Sequence, residues 1–192
     1  MVMTVSPNTI DSPLPVVIRA AGVDCWSEVR GLHALCIRSL SDSAIETSEA
    51  LAFTGWIHSP DYTAALMQHD VQTAWYDGLL VGTAGWVPSD DAGTSARITA
   101  VFVSPLFTRL GIGRQVVAAA EARARAGGFH NFATRAFPTS VGFFEALGYF
   151  RSSQGVHPMG TDNGIPVTFM RKTDALAKGN DEIEADTDLG GG

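Results

Sequence analysis

The chain has 192 residues, 45% of them apolar and 17% charged, with a formal net charge of −7. That length suits one domain with a substantial core. No apolar run approaches the roughly 18 residues that crossing a bilayer needs, and an acidic chain with no basic stripe argues against nucleic acid as a partner.

Residues 1–14 read as a loose leader. They carry no basic region followed by an apolar stretch, so no secretory signal is expected and the cytoplasm is the expected compartment. The domain itself is expected over 15–173. Val16 to Ala20 reads as a first strand, followed by a helix from Cys25 to about Leu40 with an apolar stripe at Val29, Leu32, Leu35, Cys36 and Leu40. Cys25 and Cys36 are the only cysteines and stand eleven residues apart in that segment, too far along a helix axis to bridge; both are expected reduced and mostly buried. "SAIETSEALAFTGW" suggests a second helix. Ser59-Pro60 offers a cap and a first-turn proline for a third.

The period then changes from helix to strand. "VQTAWYDGLLVGTAGWVP" places strand residues on both sides of Asp77-Gly78, a dipeptide suited to a type I′ hairpin. "ARITAVFVSP" is the next strand, stopped by Pro105. An alanine-rich helix follows and ends at Gly127-Gly128. "HNFATRAF" is a strand, "TSVGFFEALG" a short helix, and Tyr149 to Ser152 and Ile165 to Lys172 are the last two strands, with "QGVHPMG" as the loop between them. Residues 174–192 hold six carboxylates against Lys178 and read as a flexible acidic tail. The order implies an α+β fold with a mixed, mainly antiparallel sheet, because the hairpin fixes antiparallel neighbours and the strand–helix–strand unit demands a parallel crossover.

The densest chemical signal is "SPLFTRLGIGRQVV". Gly111 and Gly113 have no side chains to hold a ligand off the backbone, the helix that follows presents free N–H groups and a dipole that favours an anion, and Arg109 and Arg114 add positive charge. Three alternatives stand beside phosphate binding of this kind. A P-loop would need a lysine after its second glycine, a dinucleotide fingerprint would need a third glycine where Val116 stands, and a plain strand-to-helix turn would need no ligand.

"VFVSPLFTRLGIGRQVV" resembles the acetyl-CoA-binding motif of the GNAT superfamily of N-acyltransferases, with Thr108 in place of the usual arginine or glutamine. "SVGFFEALGY" is similar to a second family segment. The resemblance extends over roughly Pro15 to Lys172 and implies the GNAT-like α/β/α fold, with the twisted mixed sheet flanked by helices. It implies acetyl-CoA as co-substrate, held by Thr108, Arg109, Leu110, Gly111, Ile112, Gly113 and Arg114, with Phe102 and Val103 on the strand that takes the pantetheine arm, and Phe144 at the cofactor. It further implies an amine acceptor, in a small molecule or a peptide, attacking the thioester directly. Members are often dimers, which makes a homodimer one expectation.

The usual acid–base pair is absent. Phe144 occupies the position of the family's thiolate-protonating tyrosine, Thr99 and Ala100 that of its carboxylate, and Phe137 that of an asparagine. His157 is therefore the candidate base and Ser140 a candidate partner of the CoA arm. His33, Trp56 and Tyr62 are the candidate acceptor contacts. No metal-ligand set is apparent, and no metal is expected. A non-catalytic acyl-CoA-binding or sensing module is the alternative function that these replacements suggest.

Overall fold

The computed structural model describes residues 13–40, 46–89, 93–158 and 164–174. Residues 1–12 of the expected leader, and the expected tail beyond Asp174, lie outside the described residues. Among those described, seven strands form one sheet in the order β1-β2-β3-β4-β5-β7-β6. They are β1 (Val17–Ala20), β2 (Asp70–Tyr76), β3 (Leu79–Pro88), β4 (Ser95–Val103), β5 (Asn131–Ala136), β6 (Phe150–Pro158) and β7 (Gly164–Thr173). The helices are α1 (Trp26–Leu40), α2 (Thr47–Ile57), α3 (Pro60–Met67), α4 (Ile112–Ala126) and α5 (Val141–Glu145).

The hairpin joining β2 to β3 turns at Asp77 and Gly78, both with positive φ (48° and 76°), as a type I′ turn requires. All neighbouring strands are antiparallel except β4 and β5, which α4 connects in parallel. Ser59 caps α3, its side chain accepting from the Tyr62 amide, with Pro60 in the first turn.

The sheet separates two cores. On one face α4 and α5 pack Val116, Val117, Ala120 and Phe144 against Ala84, Ile98, Phe132 and Met170. Small residues let α4 lie close: a Cβ at Gly82 would come within 2.8 Å of the Ile112 side chain. On the other face α1, α2 and α3 bring Val29, Ile37, Phe53, Ile57 and Tyr62 together with Ile165, and Ala100, Phe102 and Phe137 pack at the edge of that cluster.

One element departs from the expectation. The segment expected as a loop after Ser152 continues as strand to Pro158, pairing His157 with Ile165 of β7. Gly155 looked like a loop residue, yet a Cβ there would meet the Phe169 ring at 2.6 Å; the glycine admits that ring across the strand.

Candidate active site

β4 and β5 pair only over three positions, Ser95 with Asn131 through Arg97 with Ala133. Beyond that closing pair the two strands diverge, leaving a crotch whose edges have no partner strand among the described residues. A bulge accompanies the divergence. Between Thr83 and Gly85 on β3 the facing β4 residues run from Phe102 to Thr99, one more than on the partner. Ala100 sits in that stretch with φ 51°, a left-handed conformation that costs an L-residue roughly 1–2 kcal/mol.

A directional chain of hydrogen bonds holds the bulge. Thr83 Oγ1 donates to the Ala100 carbonyl at 2.7 Å. Having given its one proton, it must accept from His33 Nε2, 2.8 Å away. That fixes the tautomer, so Nδ1 carries the lone pair and accepts from the Tyr62 hydroxyl at 2.7 Å. His33 is fully buried and packs its ring against Phe102, 4.1 Å between centroids. Burial lowers its pKa to about 3, so the ring is neutral at ordinary pH. One turn further along α1, the Cys36 thiol donates to the Val103 carbonyl at 3.2 Å, and burial pushes it up to about 12. Both cysteines are free thiols. His33 and Cys36 thus brace β4 from behind; the two nitrogens of His33 are both taken by the protein, and it supports the wall of a site without facing it.

At the C-terminal end of β4 the chain turns through Ser104 to Gly111 into α4. Arg109 and Gly111 both have positive φ, 63° and 77°. Among the described residues no acceptor takes a hydrogen bond from the amides of Arg109, Leu110, Gly111, Ile112, Gly113 or Arg114. The first-turn amides of α4 project from the helix end, an arrangement that favours an anion. Arg109 and Arg114 are exposed beside it, and neither forms an ion pair with any described residue. Thr108 spends its hydroxyl locally, donating to Pro105 O at 3.3 Å. The two glycines also make room for protein neighbours. A Cβ at Gly111 would meet Pro13 at 2.7 Å, and one at Gly113 would meet the Phe143 ring at 3.1 Å. Pro13 and Leu14 strap the loop from outside: the Leu14 amide donates to Leu110 O and Gln115 Nε2 donates to Leu14 O, each at 2.9 Å.

The remaining candidates are distributed around the crotch. Trp56 (α2) and Tyr62 (α3) meet edge to face at 4.7 Å, and Phe53 stacks on Trp56 and reaches Phe137 beyond the end of β5, forming an aromatic wall. Trp56 is its exposed member. His157 Nδ1 accepts from Arg135 Nη1 at 3.3 Å; its pKa is lowered, first by burial and then by the Arg135 and Arg97 charges, so it is a neutral base. Ser140 Oγ donates to Phe137 O at 2.9 Å and caps no helix by its side chain. Phe144 is buried in the α4-side core against Tyr149. Thr83, the Ala100 bulge and the facing arginines Arg97 and Arg135 are what the sequence did not single out. Only their register across strands reveals them. Among the described residues, no group of three or more His, Cys, Asp or Glu side chains gathers, and no helix is long and apolar enough to cross a membrane.

A splayed parallel pair, a bulged strand and an open helix terminus between them are what a thioester-bearing nucleotide needs: amides for its phosphates and an unpaired strand edge for its amide-containing arm. The sequence profile of the acetyltransferase (GNAT) family matches residues 32–149, and the chain belongs to that family. Acyl transfer from CoA is the family's chemistry. Among solved structures, a GCN5-related N-acetyltransferase from Rhodopseudomonas palustris is similar over 91% of this chain and 99% of its own, at 18% identity and a TM-score of 0.72. The PaiA N-acetyltransferase from Thermoplasma acidophilum, in complex with coenzyme A, is similar over 84% and 100%, at 12% identity and a TM-score of 0.68. An aminoglycoside 6′-N-acetyltransferase complexed with coenzyme A is similar over 82% and 96%, at 16% identity and a TM-score of 0.57. No curated protein matches the chain.

Proposed function

We propose that the chain transfers an acetyl group from acetyl-CoA to the primary amine of a small molecule or peptide by direct attack. The carrying observation is the set of unclaimed amides from Arg109 to Arg114, flanked by Arg109 and Arg114, at the mouth of the β4/β5 crotch. Those amides and arginines would hold the pyrophosphate. Phe102 and Val103 would lie beside the pantetheine arm, and CoA would supply the acyl group as a thioester. The amine nitrogen forms its new bond to the acyl carbon as the C–S bond breaks, and the proton the amine loses needs a base. Neutral His157 is the group we assign to it, and Trp56 and Tyr62 wall the acceptor. Holding the reactants in line supplies about 7 to 11 kcal/mol of the barrier in such reactions, so modest acid–base groups suffice.

The test is release of free thiol from acetyl-CoA with a panel of amines from about pH 6 to about pH 9. Because the His157 pKa is lowered, the acid limb of kcat/KM is expected below 6.5, and His157→Gln should lower kcat and remove that limb. A wild-type acid limb that survives in His157→Gln excludes it as the base.

One observation favours a second reading, an acyl-CoA-binding module without turnover: Phe144 offers no hydroxyl and is buried in the core. CoA binding by calorimetry with no thiol release from any amine would select it.

A further inference from the structure

Arg97, Arg135 and Arg171 project from one face of the sheet. Arg97 stands opposite Ala133, Ala133 opposite Arg171, and Arg135, two residues along β5, opposite Phe169. Side chains two apart on a strand share a face, and the alternate residues Ile98, Phe132 and Ala136 pack against α4, so the three arginines are on the side away from α4. Arg97 belongs to the last pair that closes the crotch, and Arg135 stands just past it, on the diverging strand. A shallow groove of about 180 Å³ is lined by Arg171, Ala133, Ser153 and Phe169 among others, the last being the β7 neighbour of Arg135.

Among the described residues these cations form no ion pair with a carboxylate. The carboxylates that form ion pairs among the described residues are Asp70, Glu121, Glu145 and Asp174, and they take Arg123, Arg125, Lys172, Arg151 and His130. Arg135 instead donates to neutral His157 and lies 5.8 Å from the Phe169 ring centroid. Half-buried Arg97 is pulled below its ordinary pKa, first by burial and then by the Arg135 charge; His69 and His157 are lowered first by burial, with the Arg97 charge adding to both and the Arg135 charge to His157. Repelling guanidinium groups of this kind are relieved by an anion.

The donor's phosphates belong to the α4 terminus, at the other end of the crotch. In the acyltransferase reading the acceptor approaches on the side of the sheet away from α4, where Arg97 and Arg135 stand at the closed end of the crotch. We propose that the acceptor carries a carboxylate close to its amine, as an amino acid does, and that Arg97 and Arg135 bind that carboxylate, with Arg171 at the margin. This rests on the acyltransferase reading above. The same arginines disfavour polycationic amines, a case of selection by repulsion as well as attraction.

The experiment compares thiol release from acetyl-CoA with L-amino acids, their methyl esters and spermidine, and repeats it for Arg97→Gln/Arg135→Gln. The acids should be preferred over their esters, and the double variant should lower that preference about tenfold or more, as expected for a lost charge-assisted contact. Arg151→Gln, which removes a cation paired to Glu145 at the surface, should leave the preference intact. Esters or spermidine used as well as the acids, or a preference unchanged in the double variant, overturns the proposal. If no amine releases thiol, the acyltransferase reading fails, and calorimetry of the same acids and esters with the CoA-saturated protein decides the anion site by itself. Binding of acids over esters, lost in the double variant, supports it; equal or absent binding refutes it.

Discussion

The two faces of the sheet treat charge in opposite ways. On the α4 face, Glu121 is 4% exposed and accepts from Lys172 Nζ at 2.9 and 2.8 Å, from Arg125 at 3.0 Å and from the Tyr149 hydroxyl at 2.9 Å, while Arg125 also holds Asp174. Every member has its counter-charge, and the ion cluster ties α4 to the sheet. On the α1–α3 face the buried polar groups are neutral: Tyr62, His33 and Thr83 pass hydrogen bonds one way to the Ala100 carbonyl. The cations on that face, Arg97, Arg135 and Arg171, pair with no carboxylate among the described residues. The closed network stabilises the fold; the open one is where the proposed acceptor carboxylate would bind.

Breaking the closed network should have the largest effect. Glu121→Gln strands Lys172 and Arg125 without their shared carboxylate, and a loss of about 3–5 kcal/mol in denaturant unfolding is expected, as for other half-broken buried pairs. Thr83→Val keeps the shape but leaves His33 Nε2–H and the Ala100 carbonyl without partners, at a cost of about 2–4 kcal/mol over the two groups. Because the Ala100 bulge is then free to relax, the KM for acetyl-CoA should rise as well; an unchanged KM would show that the bulge stands without the relay.

Acid titration sharpens the contrast. With a folded-state pKa of about 3 against 6.5 for an ordinary imidazole, His33 resists protonation in the fold. Its contribution is complete above about pH 6.5 and is lost as pH falls toward 3, by up to about 1.4 kcal/mol per pH unit. His33→Gln should flatten that slope, and a slope that persists in it belongs to other groups. The smallest change is Gly111→Ala, where φ 77° and Pro13 oppose a Cβ. It should cost about 1–2 kcal/mol and weaken CoA binding by shifting the loop amides.

How far the sequence could be read depends on range. The glycine turn, the helix behind it and the Asp77-Gly78 hairpin are local: a left-handed φ or an apolar stripe is a property of a few adjacent residues, and these were legible with the family resemblance. His157 was misplaced in a loop, because nothing near Gly155 and Pro158 shows that β7 will pair with them and that Phe169 needs the glycine. His33 reads from the sequence as a candidate acceptor contact, because its partners Tyr62 and Thr83 are 29 and 50 residues away.

The sequence by itself determined where a glycine turn would lead into a helix terminus with unclaimed amides and which strands a short turn or a crossover would join, since backbone conformation and amphipathic period are encoded residue by residue. Tertiary structure alone decided that β4 bulges and parts from β5, that the His33 relay is buried and neutral, and that Arg97 and Arg135 meet without an acid among the described residues. Those facts follow from register between distant segments, and register sets which charges and hydrogen-bonding groups find partners and which remain for a ligand.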